Sequence, residues 1–260
     1  MVCLWLFALG SAVGSFLNVV IYRLPAGLSL NRPGSHCPKC KHPIRWSDNL
    51  PILGWIALGG RCRDCRQPIS ARYPAVEAAT ACLFLLVGAV EGLSHGGALP
   101  LETYELAALV VFHLWLLCVL LAAAMIEYDG HRPPWRLFAP ALVVGLVGMT
   151  ALPVLRPIGV WPGLDGLGWR LMSGPVGLVI GAWLGWAVSR HVGQEEYGGG
   201  LIGAGACVGL FLGWQALGVL LIATATLQWI GRFAGPVRRV PPIAWMAVGA
   251  LGWILWVGTS

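Results

Sequence analysis

Charge is scarce in this sequence. Only 11% of its 260 residues are Asp, Glu, Lys or Arg, while 57% are hydrophobic. A chain so poor in charge cannot present an ordinary water-facing surface, which excludes a conventional soluble domain. Basic residues are missing ahead of the first apolar segment, and no small-residue cleavage site stands out after it. That segment is therefore expected to be a retained helix and not a signal peptide. Lys and Arg are missing again around Glu91, Glu102 and Glu105. The triple glycine Gly198-Gly199-Gly200 lacks the Lys-Ser/Thr that completes a phosphate loop, which removes nucleotide binding there. No internal repeat or low-complexity run stands out.

What is present points to an all-α, polytopic membrane protein. Apolar runs near the roughly 20 residues that a bilayer core requires are expected at about Val2 to Tyr22, Ala75 to Leu93, Leu106 to Met125, Leu137 to Leu155 and Leu171 to Val188. Two shorter, Gly-interrupted runs follow near Leu201 to Leu212 and Ala216 to Ile230, and a last one from Ile243 to Val257, for about eight transmembrane helices. The 36 glycines suit close helix packing. Three domains are expected: a first helix over 1–22, a polar loop over 23–74 and a seven-helix membrane body over 75–260.

The net charge of +6 would raise the question of nucleic acid in a soluble protein, but its placement answers otherwise. Nine of the 17 Lys and Arg lie between Arg23 and Arg72, beside only Asp48 and Asp64. This is the bias of a cytoplasmic loop obeying the positive-inside rule. The connections holding Arg132 and Arg136, Arg190, and Arg232 with Arg238 and Arg239 should lie on the same side, and the acidic segment around Glu102 on the other. Both termini are then external.

Within the basic loop, Cys37/Cys40 and Cys62/Cys65 form two Cys-x-x-Cys pairs. Each pair can present two sulfurs from one tight turn, and Pro38 and Lys39 suit such a turn. Four thiolates favour tetrahedral zinc in a structural role, with no position left for water. Two disulfides are the rival reading; they require an oxidising compartment, against the reducing side to which the charges assign the loop. Cys3, Cys82, Cys118 and Cys207 stand singly in apolar runs and read as small buried hydrophobes.

The flanks of the cysteine loop carry a family resemblance. They read Gly14-Ser15-Phe16-Leu17-Asn18-Val19-Val20-Ile21-Tyr22-Arg23-Leu24-Pro25 before the first pair, then Asp48-Asn49-Leu50-Pro51, Gly60-Arg61-Cys62-Arg63-Asp64-Cys65 and Ile69-Ser70-Ala71-Arg72-Tyr73-Pro74 with Glu77. In that order the chain resembles the bacterial type IV prepilin peptidases, which are leader peptidases and N-methyltransferases. The resemblance implies an aspartic-type endopeptidase of the inner (cytoplasmic) membrane. Its substrates would be type IV prepilins or type II secretion pseudopilins, with S-adenosylmethionine as methyl donor. No glycine-rich methyl-donor fingerprint is visible, so that cofactor rests on the resemblance alone.

Such a peptidase needs two carboxylates sharing a proton, one as base and one as acid. The run Ile126-Glu127-Tyr128-Asp129-Gly130-His131-Arg132-Pro133-Pro134-Trp135 matches the first family motif. Glu127 falls on the catalytic aspartate, Asp129 on the motif's second acid, and Trp135 on its final acid. In the second motif Gly198-Gly199-Gly200 matches the glycines, but Leu201 stands at the aspartate position and Gly203 at the lysine position. Pro241-Pro242-Ile243-Ala244 is what remains of a third motif. The nearest alternative acids are Glu195 and Glu196. Glu127 and Asp129 are two residues apart, so on a regular helix they cannot face each other. Three readings stay open: an atypical peptidase, a non-cleaving paralogue that binds or scaffolds pilins or secretion components, and a methyltransferase-only remnant. His131 reads as a loop histidine, and Glu77 as a helix-start acid beside basic residues.

Overall fold

A computed structural model describes residues 1–95, 103–157, 167–191, 198–231 and 240–259. The described residues are helical except in loops, as the composition implies. The chain divides into two compact units, Met1–Gly88 and Ala89–Ser260.

In the first unit, α1 (Val2–Arg23) and the start of α3 (Arg72–His95) flank the cysteine loop. The two helices meet through glycine. A Cβ on Gly10 would lie 2.8 Å from the Ala81 Cα, and one on Gly14 would lie 2.7 Å from the Glu77 Cα. Spaced four apart, both glycines open one face of α1 to backbone approach, a small-residue seam suited to lipid, where apolar burial alone gives helices no reason to associate. Polar ties close the lower end: Asn18 Nδ2 donates to the Tyr73 carbonyl at 3.1 Å. Between α1 and α3 lie a 3-10 turn (Trp46–Asn49) and the five-residue α2 (Leu53–Ala57).

The second unit contains α4 (Thr103–Tyr128), α5 (Trp135–Ala151), a 3-10 turn (Pro153–Leu155), α6 (Leu167–His191), α7 (Gly198–Gly231) and α8 (Pro242–Thr259). The run expected to reach Leu155 leaves α-helix at Ala151, because Pro153 has no N–H to continue the ladder. The two short runs expected at 201–212 and 216–230 form the single run α7, broken at Gly213 with φ 82° and ψ 168°. Only glycine suits that break: its φ is in the left-handed region, and a Cβ would lie 2.6 Å from Ser173 Oγ and 2.9 Å from Pro157 Cβ.

α6 and α7 pack backbone to backbone. Gly177 faces the Gly209 carbonyl, Gly181 the Gly205 carbonyl, and Gly185 the Leu201 carbonyl, so the three pairs step along the seam every four residues in opposite directions. A Cβ at Gly177, Gly181, Gly205 or Gly209 would collide with main chain and not with a movable side chain. The other side of α7 packs on α5, where Gly203 lies against the Phe138 ring and Gly145 against Leu210 and Phe211. Phe211 in turn stacks on Phe112 of α4, ring centres 4.2 Å apart.

By length and composition, α1, Arg72–Gly92 of α3, Tyr104–Tyr128 of α4, Leu171–Arg190 of α6 and Gly199–Leu220 of α7 can each cross a membrane. Trp135–Ala151 and Pro242–Val257 are shorter apolar helices.

Candidate functional site

The cysteine loop in the first unit is built twice. In the first knuckle the Cys37 N–H donates to the His42 carbonyl at 3.0 Å, the Lys41 N–H to Cys37 at 2.9 Å and the Ile44 N–H to Ser35 at 2.9 Å. The second repeats each bond 25 residues later: Cys62 to Gln67 at 2.8 Å, Arg66 to Cys62 at 3.0 Å and Ile69 to Gly60 at 2.7 Å. In both, the residue after the second cysteine turns into the left-handed region, Lys41 at φ 62° and Arg66 at φ 58°. The isolated bridges His36 to Pro43 and Arg61 to Pro68 match as well.

The expectation of no internal repeat is thus corrected locally. Cys37-Pro38-Lys39-Cys40-Lys41-His42-Pro43-Ile44 and Cys62-Arg63-Asp64-Cys65-Arg66-Gln67-Pro68-Ile69 share two cysteines, a base, a proline and an isoleucine at equal spacing. That pattern was readable in the sequence.

The two knuckles bring their sulfurs together, and all four Sγ atoms lie within 4.8 Å of one another. Cys37 Sγ and Cys65 Sγ are 3.8 Å apart, and zinc bound by sulfur at about 2.3 Å gives a tetrahedral edge of about 3.8 Å. The donor set therefore fits a metal ion. Backbone N–H groups of Cys40 and Lys39 pull the Cys37 thiol down, while burial and the neighbouring sulfurs push its partner Cys40 up, so the pair favours a single thiolate on Cys37. A metal ion there would cross-link a loop too short for its own apolar core.

Around the cluster, Arg63 grips Asp48 with two bonds, Nε to Oδ2 at 2.8 Å and Nη2 to Oδ1 at 2.6 Å. This fork holds the Asp48 carboxyl below its ordinary range. Trp55 Nε1 donates to the Ile69 carbonyl at 3.0 Å. Ile52 stands at φ 62° with the Leu53 N–H bonded to the Pro51 carbonyl at 2.6 Å, a strained γ-turn for a branched residue. Its own N–H donates to Glu77 Oε2 at 2.7 Å. Glu77, read from sequence as a helix-start charge, is thus the anchor of that turn.

In the second unit, α4 ends at Tyr128 in a Schellman arrangement. The His131 N–H donates to Ile126 and the Gly130 N–H to Glu127, with Gly130 at φ 75°. This termination separates the two candidate acids. Glu127 is 9% exposed and points inward, whereas Asp129, at the cap, is exposed. Glu127 Oε2 accepts the Ile243 N–H at 3.3 Å. Pro242 opens α8 without a donor, so Ile243 supplies an early N–H of that helix, one that has no partner within it.

Gly200 completes this corner: a Cβ there would lie 3.0 Å from Pro133 Cδ and 3.4 Å from Ile243 Cδ1. Parts of all three matched motifs thus converge. Leu201, at the second acid position, is 2% exposed, and its carbonyl faces Gly185. His131 and Trp135 are exposed. Glu195 and Glu196 lie outside the described residues.

A second buried acid was missed. Glu91, expected to mark an external connection, lies inside α3 at 2% exposure, with Oε1 2.8 Å from His113 Nδ1. A histidine within the apolar run of α4 was the signal, because an ionisable group at that depth requires a partner.

These features define a multi-pass membrane protein with a loop whose four cysteines can hold a metal ion and a buried glutamate at a helix junction. Residues 8–90 match the Bacterial Peptidase A24 N-terminal domain. The chain is similar to the prepilin leader peptidase/N-methyltransferase of Myxococcus xanthus (38% identity, covering 85% of this chain and 59% of that protein). It is similar also to those of Klebsiella pneumoniae (38%, covering 82% and 86%) and Aeromonas hydrophila (34%, covering 88% and 78%). The chain belongs to the prepilin leader peptidase/N-methyltransferase family. No solved structure matches it.

Proposed function

We propose that the chain acts on type IV prepilins or type II secretion pseudopilins at the cytoplasmic face of the inner membrane, cleaving the leader and methylating the new N-terminus. The observation that carries this reading is Glu127. It brings a buried carboxylate to a junction made by the end of α4, Gly200 of α7 and the start of α8. Glu127 or Asp129 would supply one acid of the pair, with a displaced second acid and a water between substrate and carboxylate. The knuckle would hold structural zinc on Cys37, Cys40, Cys62 and Cys65. S-adenosylmethionine would supply the methyl group. The knuckle itself would lie in the cytoplasm, with both termini outside, which the basic loop supports. In this reading the first helix and the knuckle serve a membrane body over 75–260 that carries the cleavage chemistry.

One observation favours a second reading. Leu201 is buried at the position of the second acid, and a leucine can neither hold nor pass a proton. A paralogue that binds or scaffolds prepilins without cutting them would keep the knuckle and lose this acid; a methyltransferase-only remnant would do the same. Processing of a purified prepilin by the detergent-solubilised chain separates these. Under the first reading the chain cuts, and Glu127→Ala or Asp129→Ala abolishes cutting. A chain that binds prepilin without cutting, and cuts after Leu201→Asp, supports the scaffold. An inert chain that methylates a precut pilin supports the remnant.

A further inference from the structure

The short helix α2 is pinned at the level where α3 begins its membrane span. The bond from the Ile52 N–H to Glu77 Oε2 holds it there. Glu77 lies five residues past Arg72, about 7.5 Å along the axis, and the span itself starts at Arg72. Beside this anchor, α2 turns apolar side chains outward: Leu53 is 64% and Ile56 61% exposed, with Leu50 just ahead at 46% and Trp46 at 84%. Leu53 and Ile56 are three apart and share one helix face.

The charges of the loop that carries this face are one-sided. The loop holds nine Lys and Arg against Asp48 and Asp64. Asp48 is gripped by Arg63, and Asp64 lies 3.8 Å from Arg45. An apolar face in a loop with an excess of cations, held at the first turns of a spanning helix, has the chemistry of an interfacial anchor. Leucine and isoleucine would enter the headgroup–acyl boundary, tryptophan would sit at headgroup level, and Arg and Lys would meet lipid phosphate. A basic leader peptide or a second copy of this loop would be repelled by the same charges.

We propose that the Leu50–Ile56 face is a membrane-docking surface for anionic phospholipid. Through the Ile52–Glu77 tie, it fixes the base of the cysteine loop at the leaflet from which α1 and α3 depart. This goes beyond leader cleavage and does not depend on it.

The test uses the full chain in nanodiscs of phosphatidylcholine, alone or mixed with phosphatidylglycerol. The photoreactive residue p-benzoylphenylalanine replaces Leu53, Ile56 or, as a reference on the exposed second knuckle, Gln67. Lipid adducts read by mass spectrometry should form at 53 and 56 at least about fivefold more than at 67, and rise at least about threefold when the anionic lipid is present. The anionic increment should vanish at high salt. With the probe at 56, Leu53→Glu should abolish the adduct while bound metal, which reports an intact knuckle, is unchanged. Crosslinks from 53 and 56 to another segment of this chain, to a second copy or to an added prepilin would overturn the proposal. So would adducts no more frequent than at 67 while a probe at Leu9 of α1 labels lipid.

Discussion

The Glu127 carboxylate and the Ile243 backbone N–H meet at 3.3 Å although 116 residues separate them. This contact gives Glu127 two separable properties, an acceptor for the start of α8 and an ionisable proton site. Glu127→Gln keeps the acceptor and removes the proton. It should melt in detergent as the unmodified chain does and lose prepilin cleavage by about a hundredfold or more. Glu127→Ala removes both and should also lower stability by about 1 kcal/mol, the usual effect of losing a helix N-terminal acceptor. Full cleavage by the glutamine variant would reduce the residue to a helix cap.

Four cysteine sulfurs within 4.8 Å of one another predict a metal content that depends on each of them. Elemental analysis of the purified chain should find about one zinc per molecule. Cys37→Ser or Cys62→Ser should remove most of it and expose the 23–74 loop to limited proteolysis, whereas Cys82→Ser should change neither. A strong chelator should reproduce the effect of the serine variants. Retention of zinc in both serine variants would exclude the knuckle as its site.

The Asp48–Arg63 fork carries a pH dependence whose direction follows from its carboxyl. Pairing with Arg63 lowers the Asp48 value from its ordinary 3.8. Its contribution is therefore complete above about 3.8 and is lost as the pH falls through the lowered folded value. Asp48→Asn should make the loop protease-sensitive already at neutral pH. The unmodified loop should keep its resistance at pH 5 and lose it only in stronger acid. Equal digestion of both chains at neutral pH would show that the fork does not hold the loop.

The parts of this molecule written in local pattern are legible from the sequence by itself. Apolar runs of membrane length locate the long helices to within a few residues, because a bilayer leaves a chain no choice but to satisfy its backbone within the helix. The break between Leu212 and Ala216 is visible from its glycine, and the four cysteines from their spacing. What stays hidden depends on two distant segments meeting. Glycine abundance signals close packing but not that Gly181 opposes Gly205. Glu77 reads as a helix-start charge unless Ile52 is known to bond to it. Glu91 reads as external because its partner His113 lies on another helix. The Cys-x-x-Cys repeat, with its shared base, proline and isoleucine, is local and was open to reading. Its eight-residue unit is too short to stand out where long repeats are sought.

The α6–α7 seam gives a test of the packing itself. A Cβ on Gly205 points into the Gly181 carbonyl and one on Gly181 into the Gly205 carbonyl, so neither helix can move aside without separating the whole seam. Gly205→Ala should therefore destabilise the detergent-solubilised chain by about 1–3 kcal/mol, the range for overpacking, although alanine is the better helix former. Gly218 on the same helix is exposed, and a Cβ there would meet no atom within 4 Å. At that position Gly218→Ala should be neutral or stabilising by up to about 1 kcal/mol through helix propensity alone. Opposite signs for the two alanines, read as shifts in melting temperature, are the signature of a seam held by backbone contact. Equal shifts would mean that the helices have room to part, and that the glycines serve flexibility and not approach.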